Sequence, residues 1–92
     1  MLVISAEVID GALEVTAMVQ GVSESDGECS LELRDATEVS TVTGTAGNGV
    51  TYCGVMRVSL ADVDQDDATF QVRYVSAVTR AESAVTPVQA AP

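Results

Sequence analysis

Histidine, lysine and tryptophan are absent from the 92 residues, and the aromatics are reduced to Tyr52, Phe70 and Tyr74. Without histidine there is no imidazole base, no imidazole metal ligand and no Ser-His-Asp or Cys-His catalysis. Without lysine there is no Schiff-base amine and no phosphate-gripping lysine. Four arginines against 14 acidic residues leave a formal charge of -10. That balance argues against nucleic acid as a partner, because phosphate binding needs clustered cations. No segment offers the ~20 consecutive apolar residues of a membrane-spanning helix, so no membrane insertion by this chain is expected.

What remains is enough to build a core. The chain is 47% hydrophobic despite its charge, so collapse is not prevented. Val supplies 16 residues and Thr nine, and these β-branched side chains suit a pleated surface. With five leucines and no lysine, strong helix formers are scarce. The expectation is an all-β fold occupying residues 1–92 as one domain, with 89–92 as a frayed tail.

Short alternating runs separated by turn residues recur along the chain. Leu2–Ile9 ends at the turn dipeptide Asp10-Gly11, and Leu13–Gln20 places Leu13, Val15, Ala17 and Val19 on one face. Residues 21–28 form a polar loop, after which Cys29–Arg34 groups Cys29, Leu31 and Leu33. Glu38–Thr45 is β-branched and polar, as an edge strand would be. Gly47-Asn48-Gly49 is the clearest hairpin signal, because a tight turn needs positive φ. Long strands are expected over Val50–Leu60 and Thr69–Thr79, separated by an acidic loop at 61–68. Arg80–Glu82 reads as a turn and Ser83–Val88 as the closing strand. Seven antiparallel strands at this spacing predict a two-sheet β-sandwich.

The stretch TFQVRYVSAVTRAESAVTPV, from Thr69 to Val88, resembles the last two strands of fibronectin type III and bacterial immunoglobulin-like domains. GVSESDGECSLEL and VSTVTGTAGNGVTYCGVMRVSLADV resemble immunoglobulin-like domains of secreted or surface-anchored bacterial proteins. The likeness spans about Leu13 to Val88 and implies a single immunoglobulin-like sandwich. It lacks the core Trp and the wide cysteine spacing of antibody domains. The resemblance implies pairing of Cys29 with Cys53, which precedes Gly54. Read from residues alone, the two cysteines are a structural disulfide or two buried thiols, since two more metal ligands are lacking and no Cys-x-x-Cys occurs.

Asp62-Val-Asp64-Gln-Asp66-Asp67 opens like a calcium loop. The pattern then fails, because Asp67 stands where the loop needs Gly and Arg73 where it needs Glu. Asp62, Asp64, Asp66 and Asp67 are therefore weak calcium candidates, with a solvated loop the plainer reading; no cofactor and no catalytic residue is expected. The remaining acidic residues fall on outward strand positions and loops, where they serve solubility. Tyr52 is either a half-buried packing residue or an exposed contact aromatic, the former being favoured.

Phase gives one local expectation. Met56, Val58 and Leu60 share a face, and counting back by twos from Met56 leaves Cys53 on the opposite one. An inward Cys53 thus requires one extra residue, so a β-bulge or break is predicted at Gly54-Val55. Gly54 is the expected host, since glycine tolerates the backbone angles a bulge requires.

Function follows only in outline. The expected role is a non-catalytic extracellular or cell-surface immunoglobulin-like module, acting as spacer, display element or protein- or glycan-binding domain. The alternative is a virion accessory protein of the same fold, docked on a capsid or tail. Residues 1–9 have no basic start and are interrupted by Ser5 and Glu7, so they do not read as a signal peptide. An excised ectodomain is expected to be monomeric and a virion part oligomeric.

Overall fold

Alternation in the sequence becomes two inner faces pressed together. The computed structural model describes residues 1–33, 39–61 and 68–88. Among them nine strands run as β1 (Leu2–Ile9), β2 (Ala12–Gln20), β3 (Glu28–Leu33), β4 (Val39–Thr43), β5 (Thr45–Ala46), β6 (Val50–Ser59), β7 (Thr69–Val75), β8 (Arg80–Glu82) and β9 (Thr86–Pro87). One antiparallel sheet has the order β1-β2-β6-β5; the other is β4-β3-β7-β8, with β9 also on β7. From the first sheet the core takes Leu13, Val15, Ala17, Val19, Cys53, Met56 and Val58. The second contributes Cys29, Leu31, Leu33, Phe70, Val72 and Tyr74. Each such aliphatic side chain stabilises the fold by about 1.5–3 kcal/mol of apolar burial.

Taking β8 and β9 as one interrupted strand, this is the strand order of an immunoglobulin-type sandwich, with β4 as an extra edge strand. The β1–β2 hairpin turns at Asp10 and Gly11, with φ of 51° and 76°. Positive φ at both positions matches the right-handed twist of the flanking strands. At the Asn48-Gly49 turn only Gly49 has positive φ, so Asp10-Gly11 is the fuller instance of the signal.

Four strand boundaries differ from the expectation, the first being that the strand expected over Thr69–Thr79 ends at Val75. The expected strand Glu38–Thr45 divides at Gly44, with β4 pairing β3 in one sheet and β5 pairing β6 in the other. Gly44 permits the crossing because a Cβ there would meet Thr51 Cγ2 at 2.8 Å. Arg80–Glu82 is a strand rather than a turn, and the chain reverses at Ser76–Thr79, where Ser76 N donates to Thr79 O. The closing strand shrinks to Thr86–Pro87, because the ladder on β7 breaks at Ser83. There the Ser83 hydroxyl accepts from Val72 N at 2.9 Å, while its carbonyl accepts from Gln71 Nε2. Two polar groups lost from the ladder are thus satisfied within a buried site.

The bulge lies where phase required it. Val15 pairs with Met56 and Ala17 with Cys53, so one residue of β2 faces Gly54 and Val55 of β6. Cys53 and Met56 are both buried, whereas Tyr52, Gly54 and Val55 are exposed. Gly54 does not have positive φ, however, so glycine's backbone freedom is not what permits the bulge.

Candidate functional site

The Cys29–Cys53 disulfide joins β3 to β6, and so ties the two sheets together through the core. Both cysteines are buried, with Cα atoms 5.8 Å apart. In antibody domains the bridge links the second strand and the strand corresponding to β7. Here β2 and β7 carry no cysteine, and the bridge joins β6, the neighbour of β2, to β3, the neighbour of β7.

The outer face of the first sheet carries an apolar row. Cross-strand pairing aligns Leu2 with Met18 and Met18 with Tyr52. Tyr52 is 47% exposed, so it is half-buried: its ring lies against Gly47, where a Cβ would collide with it, and its remaining surface faces solvent. Val55, lifted by the bulge, is 59% exposed beside it. Next along the sheet Ser5 and Thr16 hydroxyls hydrogen-bond, and Glu14 pairs with Arg57.

The outer face of the second sheet is polar. Arg73 lies 3.5 Å from Glu82 and 3.7 Å from Glu32, which balance its charge. A shallow recess of about 290 Å³ is lined by Arg73, Tyr74, Val75, Arg80, Ala81 and Glu82. With Arg73 already paired, Arg80 is its only cation not engaged in an ion pair among the described residues.

At one end of the sandwich the β2–β3 loop folds over Tyr74. The Tyr74 hydroxyl donates to Glu24, and Thr51 Oγ1 accepts from Glu24 N while donating to Val22 O. Gly27 and Gly44 border the Tyr74 ring, and a Cβ on either would press into it. Alternation does not announce this cluster: Thr79 Oγ1, which donates to Glu24, lies 55 residues from it along the chain.

The acidic loop with Asp62, Asp64, Asp66 and Asp67, and the tail 89–92, lie outside the described residues. Among the described residues no three His, Cys, Asp or Glu side chains gather as metal ligands. No helix among them is long and apolar enough to cross a membrane. No family model, no curated protein and no solved structure matches the chain.

Proposed function

We propose that this chain is a non-catalytic immunoglobulin-like module of an exported or surface-displayed protein, serving as a spacer or as a protein- or glycan-contact domain. The observation that carries this reading is the buried Cys29–Cys53 bridge between the two sheets. Disulfides persist in oxidising compartments and are rare in the cytosol. A small core with three aromatics gains the most from such a bond. The strand order supports the module reading, and the acidic side chains Glu14, Glu28, Glu32 and Glu82 lie outward on strands, Glu14 paired with Arg57 and Glu32 and Glu82 with Arg73. The exposed Leu2–Met18–Tyr52 row is where a contact would fall.

The test is where the polypeptide resides and in what redox state. Cells of the native host are fractionated with thiols blocked at lysis, and the chain is followed by antibody and by mass. Recovery from the surface or medium, two protons lighter than the reduced chain, is expected. Recovery from the cytosol with two alkylated thiols overturns the proposal. Co-sedimentation with virus particles moves the module to the virion.

A further inference from the structure

Among the described residues β1 is the longest open sheet edge. Its eight residues pair with β2 on one side and with no strand on the other. The remaining edge strands are shorter: β4 has five residues, β5 two and β8 three. Open edges are usually guarded by lysine, proline or inward charges. β1 has no lysine, proline or inward charge; its guards are one outward charge, Glu7, and the bulge between Val3 and Ser5. Leu2, Ile4 and Ile9 are instead exposed by 43%, 52% and 37%.

The pattern of β1 is self-complementary. Val3 pairs with Ala17 and Ser5 with Thr16, so Ile4 is the extra residue of a bulge. With Ile4 set aside, Leu2-Val3-Ser5-Ala6-Glu7-Val8-Ile9 runs apolar, apolar, polar, Ala, polar, apolar, apolar, symmetric about Ala6. Faces follow the same symmetry. Val3, Ala6 and Val8 lie across from core residues Ala17, Val15 and Leu13, and Leu2, Ser5, Glu7 and Ile9 alternate outward.

We propose that β1 pairs antiparallel with β1 of a second copy, about a two-fold axis through Ala6. The two four-stranded sheets then form one continuous eight-stranded sheet. This register sets Leu2 opposite Ile9 and Val3 opposite Val8 of the second copy, with Ile4 bulged on both strands. Glu7 meets Ser5 rather than another Glu7, so the one charge of the strand is never opposed to itself. An isologous contact demands such self-complementarity, whereas an unrelated strand would not. The charge of -10 on each copy opposes association, so screening by salt tightens the dimer. The inference stands apart from the functional reading above.

Sedimentation velocity over a concentration series, at low and at molar salt, tests it. The wild-type chain is expected to dimerise, more tightly at high salt. Ser5→Lys places a cation opposite Glu7 twice per dimer and should tighten association about threefold or more. Ser5→Glu should weaken it by a similar factor. Thr41→Lys and Thr41→Glu make the same change in net charge at an exposed position on β4, and should shift the constant much less than the position-5 variants do. Amide NMR spectra establish that each variant is folded. A monomer at every concentration and salt overturns the proposal, and so does a dimer that responds to position 41 as it does to position 5.

Discussion

The Tyr74 hydroxyl donates to Glu24 Oε1 at 2.7 Å, fastening the β2–β3 loop to the end of β7. Thr79 Oγ1 reaches the other carboxylate oxygen at 3.3 Å. The hydrogen bond from Tyr74 is the main cause holding the Glu24 carboxyl below its usual range; partial burial opposes it, and the hydroxyls of Ser76 and Thr79 assist. The Tyr74 phenol is pushed up, first by its own burial and then by Glu24.

These opposite shifts bracket the pH range of stability. A carboxyl with a lowered folded pKa contributes stability above the ordinary carboxylate range, and loses it as pH falls through the folded value. A phenol with a raised folded pKa keeps its proton while the unfolded chain loses one above about 10, so its contribution fades as pH climbs past that point. Urea midpoints measured across pH should therefore decline at both ends. Tyr74→Phe is expected to lower stability at neutral pH and to flatten both limbs. Curves for Tyr74→Phe and wild type that run parallel at every pH would show that the pair is not linked to folding.

Removing the sheet-to-sheet bond should be costly. In the chain-entropy model, closing a loop of about 25 residues contributes about 3.5 kcal/mol. That is a large share of the 5–15 kcal/mol typical of a domain. Replacing Cys29 and Cys53 together by alanine is expected to lower the unfolding free energy by about that amount in urea titrations. A loss under about 1 kcal/mol would mean that the reduced unfolded chain is already compact.

The parts of the fold legible in the sequence were those with a strict period. Alternation alone turns Leu13, Val15, Ala17 and Val19 inward, and the phase conflict between Cys53 and Met56 locates the bulge. The rest depends on contacts that alternation does not encode. β4 and β5 read as one strand, because nothing in Val-Thr-Gly-Thr announces that Gly44 passes beneath Thr51 to the other sheet. Arg80–Glu82 reads as a turn because two of its three residues are charged, yet β7 gives it a strand partner, with Arg73 opposite Glu82, Tyr74 opposite Ala81 and Val75 opposite Arg80. The place of Tyr52 beside the Gly47-Asn48-Gly49 hairpin leaves its burial open, and pairing with Met18 on the outer face makes it half-exposed.

Gly27 should be the least replaceable glycine of the end cluster. It is buried, and a Cβ there would occupy the position of the Tyr74 hydroxyl and ring. Since Tyr74 is closed in by Gly44 and the core, Gly27→Ala is expected to cost about 1–3 kcal/mol, the usual penalty of overpacking. Tyr74→Leu vacates the contested space, so Gly27→Ala should cost clearly less in that background. Additive effects in the double-mutant cycle would show that the two residues do not compete for space.

Gly11 and Gly54 form a matched pair for separating backbone strain from crowding. A Cβ at either position meets nothing within 4 Å, so neither substitution is opposed by a neighbour. They differ in backbone conformation: Gly11 sits at φ 76° in the hairpin turn, whereas Gly54 does not have positive φ in its bulge. The left-handed conformation costs an L-residue about 1–2 kcal/mol, and Gly11→Ala should lose that much. Gly54→Ala meets no such penalty and reduces the freedom of the unfolded chain, so it should be neutral or stabilising by up to about 1 kcal/mol. Urea unfolding of the two variants beside wild type measures both values. A loss above about 1.5 kcal/mol at Gly54 would restore the view that this bulge requires glycine. The predicted result leaves extra residue count, rather than glycine chemistry, as what turns both Cys53 and Met56 inward.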